Sequence, residues 1–440
     1  MSAVSLRRRI GAVWMDSRKI TPGDVFLALA GEQDDGHRYV PAAFKAGAIA
    51  AIVSRRKVHT YNAREQKKCI VVDRPLKAVQ QMAAAYRQDL DIPVAAITGS
   101  SGKTTTRQFI TKVLSAGLTV GNTEGNWNNH IGVPLSLLRL TGNEDVAILE
   151  LGANHTREID TLSRIVKPDI GVITNIGYAH IGYFGSLDAI ANAKFELVNG
   201  MRKRNGVLLL NGDDTRLIQK NREKGWKAVF FGFSKRCAVR AEQLAVTREG
   251  KTTFTVKGHR YRLRMPGRHF VYCALPAIFL ARQLGISESL IAEALYTLTP
   301  DPMRGRIVTK SGIRFIVDCY NANPSSMRSG IALLQDVAGN TIKGAVVGDM
   351  LELGTFSKRL HRQLGKQLAE AGVKKILAVG QYAQSVVNGA VAHGMKASQI
   401  HCAPDAYQAV DYAHTYLKKG DTVLLKGSRG VKLETVLNTF

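Results

Sequence analysis

The chain has 440 residues, a formal net charge of +26 and 45% hydrophobic residues. This length is typical of about three domains of ~150 residues each, and the sequence contains no uninterrupted apolar run long enough to cross a bilayer. The five cysteines form no C-x-x-C pair, which argues against a disulfide framework and indicates reduced thiols.

The basic residues near the N-terminus do not form a secretion signal, because Asp16 and Arg18 interrupt the apolar residues that follow them. We therefore expect a cytoplasmic protein. Basic residues occur in short, separated clusters without interleaved aromatic residues, at 7–9, 55–57, 67–68 and 202–204. This distribution favours a solvated basic surface over attraction of anionic small substrates or an anionic membrane surface, and nucleic-acid binding is the least favoured interpretation.

Strand-like and helix-like segments alternate along the chain, which predicts an α/β fold with mostly parallel sheets between helices. The predicted strands lie at 94–98, 146–151, 171–175, 207–210, 228–231, 315–318, 345–348, 376–380 and 422–426. Alternating residues at 253–264 predict a hairpin meander appended to the central sheet. Breaks at 89–93 and 300–306 divide the chain into three predicted domains, 1–90, 91–303 and 304–440.

The segment after the first of these strands predicts a phosphate-binding loop. It reads Gly99-Ser100-Ser101-Gly102-Lys103-Thr104-Thr105. Glycines let backbone N–H groups approach an anion, the lysine supplies a charge, and a hydroxyl can hold Mg²⁺. The loop departs from the pattern G-x-x-x-x-G-K-[ST], because Ile97 stands at the first glycine position.

Two later strands end on residues that suit the same site. Glu150 closes the strand at 146–151, and His180 follows the strand at 171–175. Ligands bind at the carboxyl ends of parallel strands, so Glu150 is a candidate second ligand for a magnesium ion on Thr104. By pattern alone, Lys194 in the next helical segment is an ordinary helical lysine.

Several motifs in order make the chain resemble the Mur ligases of peptidoglycan synthesis. Besides the phosphate loop they include Asp16-Ser-Arg-Lys, Gly125-Asn-Trp-Asn-Asn-His, Glu150-Leu-Gly-Ala-Asn-His, Tyr320-Asn-Ala-Asn-Pro-Ser-Ser-Met, Gly348-Asp-Met-Leu-Glu-Leu-Gly and Lys426-Gly-Ser-Arg. The resemblance covers nearly the whole chain. It implies a small α/β N-terminal domain that binds a UDP-sugar, a central P-loop-type domain that binds ATP, and a Rossmann-like C-terminal domain that binds the amine substrate.

The resemblance is strongest to the members that add D-alanyl-D-alanine to a UDP-N-acetylmuramoyl-tripeptide. It implies an ATP-dependent amide ligase with an acyl-phosphate intermediate and two Mg²⁺ sites. We expect a monomer, and the sequence does not fix the oligomeric state. Two alternatives stay open. One is a related ligase acting on another carboxylate in a specialised pathway, although the motif at Tyr320 speaks against a folate substrate. The other is a non-catalytic basic scaffold, which would have no reason to retain both magnesium sites.

The resemblance also implies roles for individual residues. The catalytic residues would be Lys103, His180, Arg306, which reaches the γ-phosphate, and Lys194, carried as a carbamate. The metal ligands would be Thr104, Glu150, His180 and Lys194. ATP would contact the loop residues Gly99 to Thr105 together with Asp318, Tyr320, Asn321 and Asn323. Substrate would contact Ser17, Arg18, Asp35, His37, Asn126, Asn128, Asn129, Asn154 and His155.

The chain departs from the family pattern in two places that bear on substrate binding. Only fifteen residues precede Asp16, where the family usually has a further strand and helix, so we expect part of the UDP-binding domain to be absent. Phe270 and Cys273 stand where asparagines are expected, one of them near the adenine. We therefore expect weaker nucleotide affinity or base selectivity.

Overall fold

The computed structural model describes residues 11–202, 206–247, 249–299 and 301–440. The basic cluster at 7–9 and most of that at 202–204 lie outside these ranges. Within the described part of the chain, no helix is both long and apolar enough to cross a membrane.

The N-terminal part is a four-stranded parallel sheet in the order β1-β2-β3-β4. Its strands are β1 (Val13–Trp14), β2 (Val25–Leu27), β3 (Ala50–Ser54) and β4 (Cys69–Val72), with helices α1 (Val40–Lys45), α2 (Ala63–Gln66) and α3 (Pro75–Asp89). None of these strands was predicted from the sequence. They are two to five residues long, and the two- and three-residue strands β1 and β2 are too short for a periodic pattern to stand out.

The central part is a seven-stranded parallel sheet in the order β11-β10-β9-β8-β5-β7-β6. Its strands are β5 (Val94–Thr98), β6 (Val120–Asn122), β7 (Val146–Glu150), β8 (Ile170–Ile173), β9 (Val207–Asn211), β10 (Ala228–Gly232) and β11 (Val239–Arg240). The associated helices are α4 (Lys103–Leu114), α5 (Gly132–Leu137), α6 (Glu158–Val166), α7 (Ile181–Phe184), α8 (Leu187–Phe195), α9 (Leu197–Gly200) and α10 (Thr215–Lys224).

The predicted meander forms a separate antiparallel sheet, β12 (Glu242–Val246), β13 (Thr252–Val256) and β14 (His259–Leu263). Its inward residues, including Phe254 and Tyr261, share one core with the central strands and with α11 (Arg268–Gln283) and α12 (Glu288–Thr297). This core covers one face of the central sheet, and α5, α6 and α9 pack against the other face.

The C-terminal part is a six-stranded sheet in the order β15-β16-β20-β17-β18-β19, parallel except for the β15–β16 hairpin. Its strands are β15 (Arg306–Lys310), β16 (Ile313–Val317), β17 (Lys343–Gly348), β18 (Lys375–Val379), β19 (Ile400–Ala403) and β20 (Thr422–Lys426). The helices are α13 (Pro324–Ala338), α14 (Ser357–Glu370), α15 (Ala383–Val391), α16 (Ala406–Tyr416) and α17 (Glu434–Asn438).

The two faces of the C-terminal sheet have different neighbours. One face shares a core with α13, α14 and the side chains of Ile181 and Ile190 from the central part, and the other is covered by α16 and α17. The predicted α/β fold with mostly parallel sheets is confirmed. The carboxyl ends of the central strands face the C-terminal sheet across a cleft.

Candidate active site

A cleft of about 1260 Å³ separates the central and C-terminal sheets. Its central wall is formed by residues that follow β5, β7, β8 and β9. Its C-terminal wall is formed by residues that follow β16, by Lys426 at the end of β20 and by one side of α13. Parallel sheets bind ligands at these strand ends because the loops there converge.

The phosphate loop lies at the floor of the cleft between β5 and α4. Gly99 has φ +142°, and a Cβ there would lie 2.0 Å from Thr174 Oγ1, so only glycine fits this position. The Lys103 ammonium donates to the Gly99 carbonyl at 2.9 Å, which closes the loop. Burial lowers the pKa of Lys103, since a desolvated ammonium is less stable. Ser100 to Thr105 line the cleft, and Gly99 does not.

Glu150 and Thr104 lie close enough together to share a magnesium ion. Thr104 Oγ1 donates to Glu150 Oε1 at 3.2 Å, and Asn128 Nδ2 donates to the same oxygen at 2.8 Å. The other oxygen, Glu150 Oε2, is buried and has no hydrogen-bond partner among the described residues. A buried carboxylate beside a hydroxyl suits a hard cation such as Mg²⁺.

Sequence reasoning missed a buried cation behind this carboxylate. Arg107 Nε lies 3.5 Å from Glu150 Oε2, and its terminal nitrogens donate to the carbonyls of Thr123 at 2.6 Å and Gly125 at 3.0 Å. Arg107 thus links Glu150 to the segment at 123–125, which directly precedes Asn126. It sits one helical turn after Lys103, a spacing that could have drawn attention to it.

Lys194 lies inside the fold on α8 and is only 2% exposed. Its ammonium is 3.4 Å from the Ala153 carbonyl and 5.5 Å from the centre of the Phe184 ring. Burial lowers the pKa of Lys194 to about 7, with a further contribution from the charge of Lys103. A large fraction of this amine is therefore neutral near pH 7, which is unlike an ordinary surface lysine.

His180 lies on the cleft rim and contacts the C-terminal part. Its Nδ1 is 2.5 Å from Glu352 Oε2. Two residues later, the Gly182 N–H donates to the Glu352 carbonyl at 3.0 Å. The hydrogen bond with His180 lowers the pKa of Glu352. With Nδ1 engaged, Nε2 is the ring nitrogen that remains for a ligand. Among the described residues no cluster of three acidic, histidine or cysteine side chains surrounds a metal position.

The four C-terminal residues expected at the nucleotide all line the cleft. Asn323 reaches across it and donates from Nδ2 to Ser101 Oγ at 2.9 Å, so the C-terminal part contacts the phosphate loop directly. The Asp318 carboxylate accepts from the buried Lys426 ammonium at 2.6 Å. Lys426 itself was not predicted as a site residue, although it ends strand β20 as Glu150 ends β7. Tyr320 and Asn321 complete this wall.

Arg306 does not reach the cleft. It begins β15, is exposed, and pairs with Val317 in the β15–β16 hairpin. Arg304, two residues earlier, does line the cleft, with its guanidinium carbon 3.9 Å from the centre of the Tyr320 ring. The structure thus brings a different arginine of the same segment to the site.

The four expected N-terminal substrate residues lie away from the cleft. Arg18 is exposed and donates twice to Asp16 at 2.8 Å, and Ser17 lies beside it in the same turn. His37 is buried, with Nδ1 2.6 Å from Asp35 Oδ1 and Nε2 accepting from the Ser54 N–H at 3.0 Å. Both ring nitrogens of His37 therefore contact neighbouring residues of the N-terminal part, so His37 stabilises the structure there.

The five expected contacts to the peptide end line the cleft on the side of α5 and α6, namely Asn126, Asn128, Asn129, Asn154 and His155. Some of their polar atoms are already engaged. Asn129 Oδ1 accepts from the Gly132 N–H at 2.9 Å at the start of α5, and the His155 N–H donates to Glu158 Oε2 at 3.2 Å. Within the described residues, the Asn126 side chain makes no such hydrogen bond.

Phe270 and Cys273 lie on α11 and line the cleft. Phe270 is 2% exposed and stacks on Phe109 with ring centres 6.2 Å apart. The Cys273 thiol donates to the His269 carbonyl at 3.4 Å, and burial raises its pKa to about 11. Neither side chain offers an amide to a base. His269 and Asp336 were not predicted, and both line this end of the cleft.

Comparisons with known proteins agree with this geometry. Three family models match the chain, described as Mur ligase family, catalytic domain over residues 9–87, Mur ligase middle domain over residues 97–281 and Mur ligase, glutamate ligase domain over residues 303–429. The UDP-N-acetylmuramoyl-tripeptide–D-alanyl-D-alanine ligase of Bacillus subtilis is 38% identical over 433 residues, which is 97% of this chain and 92% of the relative.

Solved structures are similar over the same length. MurF from Acinetobacter baumannii superposes with a TM-score of 0.87 at 33% identity and covers 97% of this chain and 92% of its own. MurF from Thermotoga maritima, solved in complex with ADP, has a TM-score of 0.85 at 28% identity and covers 98% of this chain and 97% of its own.

Proposed function

The chain belongs to the Mur ligase family, and on this premise we propose that it is an ATP-dependent ligase that joins D-alanyl-D-alanine to UDP-N-acetylmuramoyl-tripeptide in peptidoglycan precursor synthesis. The observation that carries the proposal is the meeting of Lys103, Thr104 and Glu150 in one cleft with Asn323 of the facing wall. A ligase of this class needs such a closed site, because water would hydrolyse an activated carboxylate.

The reaction proceeds in two transfers. A carboxylate oxygen of the tripeptide attacks the γ-phosphorus of ATP, and ADP leaves with the electron pair of the broken P–O bond. The free amine of D-alanyl-D-alanine then attacks the acyl carbon, loses a proton, and inorganic phosphate leaves with the bridging oxygen. Lys103 stabilises the charge on the transferring group, and the backbone N–H groups at the start of α4 bind its oxygens.

Magnesium fits the residues around Glu150. Glu150 Oε1 and the Thr104 hydroxyl would hold one ion, and Nε2 of His180 would contribute to a second. Bound there, the ions would neutralise phosphate charge and polarise the attacked phosphorus. Arg107, behind Glu150, fixes the carboxylate in place without contacting substrate.

We extend the proposal to a carbamate on Lys194. A neutral amine adds to CO₂ and loses one proton, which gives a carboxylate-like group on the lysine. Burial supports this step, since it lowers the pKa of Lys194 to about 7 and leaves much of the amine neutral. The product would supply an oxygen ligand to a cation, which an ammonium cannot do.

The remaining assignments are proposals of the same kind. We propose domains at 1–90, 91–303 and 304–440, supported by the separate sheets of each part. The N-terminal domain, with Ser17, Arg18, Asp35 and His37, would receive the UDP-sugar, and Asn126 and its neighbours the peptide end. We further propose a cytoplasmic monomer whose basic surface interacts at most transiently with anionic membranes.

Phosphate release tests this function. With ATP and UDP-N-acetylmuramoyl-tripeptide, we expect release at a high rate only when D-alanyl-D-alanine is present, and mass spectrometry should find the pentapeptide product. The Lys103→Ala variant should lose at least about 10²-fold in rate and keep the fold by circular dichroism. Wild-type release that ignores the tripeptide would refute the substrate, and near-normal turnover by Lys103→Ala would refute the nucleotide site.

A further inference from the structure

Two tryptophans and an arginine join the N-terminal part to the central part. Trp14 ends β1, and Trp127 lies in the loop between β6 and α5. Arg139, two residues after α5, lies over both rings, with its guanidinium carbon 3.9 Å from the centre of the Trp14 ring and 4.4 Å from that of Trp127. The two rings meet edge to face with centres 6.0 Å apart. We call these three side chains the clasp.

The charge of Arg139 is only partly satisfied by polar groups. Glu124 accepts a hydrogen bond from Arg139 Nη1, whereas Arg139 Nε and Nη2 are buried and have no hydrogen-bond partner among the described residues. The indole faces, which attract cations, take the place of the missing acceptors. Glu124 Oε1 also lies 3.9 Å from the Lys19 ammonium, so ion pairs cross the same boundary as the clasp.

An apolar cluster crosses this boundary next to the clasp. Leu135 of α5 is fully buried and shares one cluster with Val13, Val25 and Leu27 of the N-terminal sheet, and Trp127 packs against that cluster. Contacts of this kind stabilise the junction because they remove apolar surface from water. The N-terminal sheet therefore meets the central part through apolar packing as well as through charge.

The clasp lies between the two groups of residues that we propose for opposite ends of the substrate. Trp14 is followed closely by the turn Ser17–Lys19, which belongs to the proposed UDP-sugar site. Trp127 is flanked by Asn126 and Asn128 of the proposed peptide site, both of which line the cleft. A ligand with two contacts binds more tightly than either contact alone only when the two contacts are held at a matching distance.

We propose that Trp14, Arg139 and Trp127 are positioning residues that hold the UDP-sugar turn and the Asn126 loop at the separation that one substrate molecule spans. Loosening the clasp lowers the effective concentration of the second contact once the first has formed. Affinity then falls for a ligand that bridges the boundary and stays the same for a ligand that contacts one side. The inference rests on the proposed function for the identity of the substrate.

Calorimetry on the full chain with two ligands tests this role. UDP-N-acetylmuramoyl-tripeptide spans both sides of the boundary, and UDP-N-acetylmuramic acid lacks the peptide end. The Kd of each is measured for the wild type and for Arg139→Met, which removes the charge and keeps an unbranched side chain. Arg282→Met is the matched control, because the Arg282 side chain is also 20% exposed and also pairs with a glutamate. Thermal unfolding checks that each variant is folded.

We expect Arg139→Met to bind the tripeptide substrate about tenfold or more weakly and UDP-N-acetylmuramic acid within about threefold of the wild type. Arg282→Met should bind both ligands normally. In the ligase reaction, the KM for the tripeptide substrate should rise in Arg139→Met by the same factor, while the KM for ATP is unchanged. Arg139→Lys keeps a cation over the rings and should recover part of the loss.

Two tryptophan variants give the same test without changing a charge. Trp14→Leu and Trp127→Leu should each weaken binding of the tripeptide substrate, and the double variant should be no weaker than the worse single variant, since losing either ring opens the clasp. Additive losses would overturn the proposal, as would Arg139→Met weakening both ligands equally or neither. Failure of the wild type to bind either ligand would refute the proposed substrate, and the inference with it.

Discussion

Lys194 shows how far one residue's surroundings can change its chemistry. On sequence pattern it is a helical lysine, and in the structure it is buried beside a carbonyl and an aromatic ring with its pKa lowered to about 7. A buried ammonium without a carboxylate partner is costly, and conversion to an anion that binds a metal relieves that cost.

We expect Lys194→Ala to be nearly inactive and to regain part of its rate when a short carboxylic acid is added, because the acid can occupy the vacated ligand position. Lys194→Arg should not be rescued, since its permanent charge fills the space. ¹³C NMR of the protein with ¹³CO₂ and Mg²⁺ provides a readout independent of turnover. A carbamate signal is expected in the wild type and in Lys375→Ala, whose lysine pairs with Asp421, and not in Lys194→Ala.

High activity of Lys194→Ala without added acid would contradict the carbamate, and so would a ¹³C signal that survives in that variant. Either result would reassign Lys194 as a contact to phosphate or to a carboxylate.

Phe270 leads to a prediction about base selectivity. An apolar ring in the wall rejects the wrong base by only about 1–3 kcal/mol, or 10–200-fold, whereas a hydrogen-bonding group rejects it far more strongly. We therefore expect the kcat/KM for ATP to exceed that for GTP by no more than about 200-fold. A ratio of 10⁴ would show that another group reads the base, and Asp336→Ala would then test the acid at this end of the cleft, whose pKa is raised by burial.

At the scale of elements, α7 forms one of the contacts between the two walls of the cleft. A Cβ on Gly182 would lie 2.8 Å from the Gly354 nitrogen and 2.9 Å from the Glu352 carbonyl oxygen, and backbone atoms cannot move aside as side chains can. The same contact brings Glu352 to His180. We therefore expect the packing of α7 on the loop before α14 to couple closure of the cleft to the position of His180.

Gly182→Ala should consequently impair closure. We expect kcat to fall by at least tenfold with little change in the Kd of ADP, because the phosphate loop lies on the central wall alone. Gly117→Ala is the control, since a Cβ there meets Ile286 at an ordinary 3.7 Å. Normal turnover by Gly182→Ala, or equal losses in both variants, would exclude the coupling.

At the scale of the molecule, the sequence was most informative where an apolar strand ends in a polar residue. The strands leading to Gly99, Glu150 and His180 were predicted in this way, and their ends do converge on one cleft. The short N-terminal strands lack a readable period. Whether Arg304 or Arg306 faces the cleft depends on the register of the β15–β16 hairpin, which motif spacing does not reveal. The contact between Asn323 and Ser101 depends on how two parts of the chain that are far apart in sequence pack together, so it could not be derived from spacing either.

Transfer of ¹⁸O tests the central claim most directly. In the proposed reaction, a carboxylate oxygen of UDP-N-acetylmuramoyl-tripeptide becomes the bridging oxygen of an acyl phosphate and leaves with the phosphate. With both oxygens of that carboxylate labelled, every phosphate released with amide product should carry one ¹⁸O, detected by ³¹P NMR or mass spectrometry. Unlabelled phosphate accompanying labelled amide product would contradict activation through an acyl phosphate at this site.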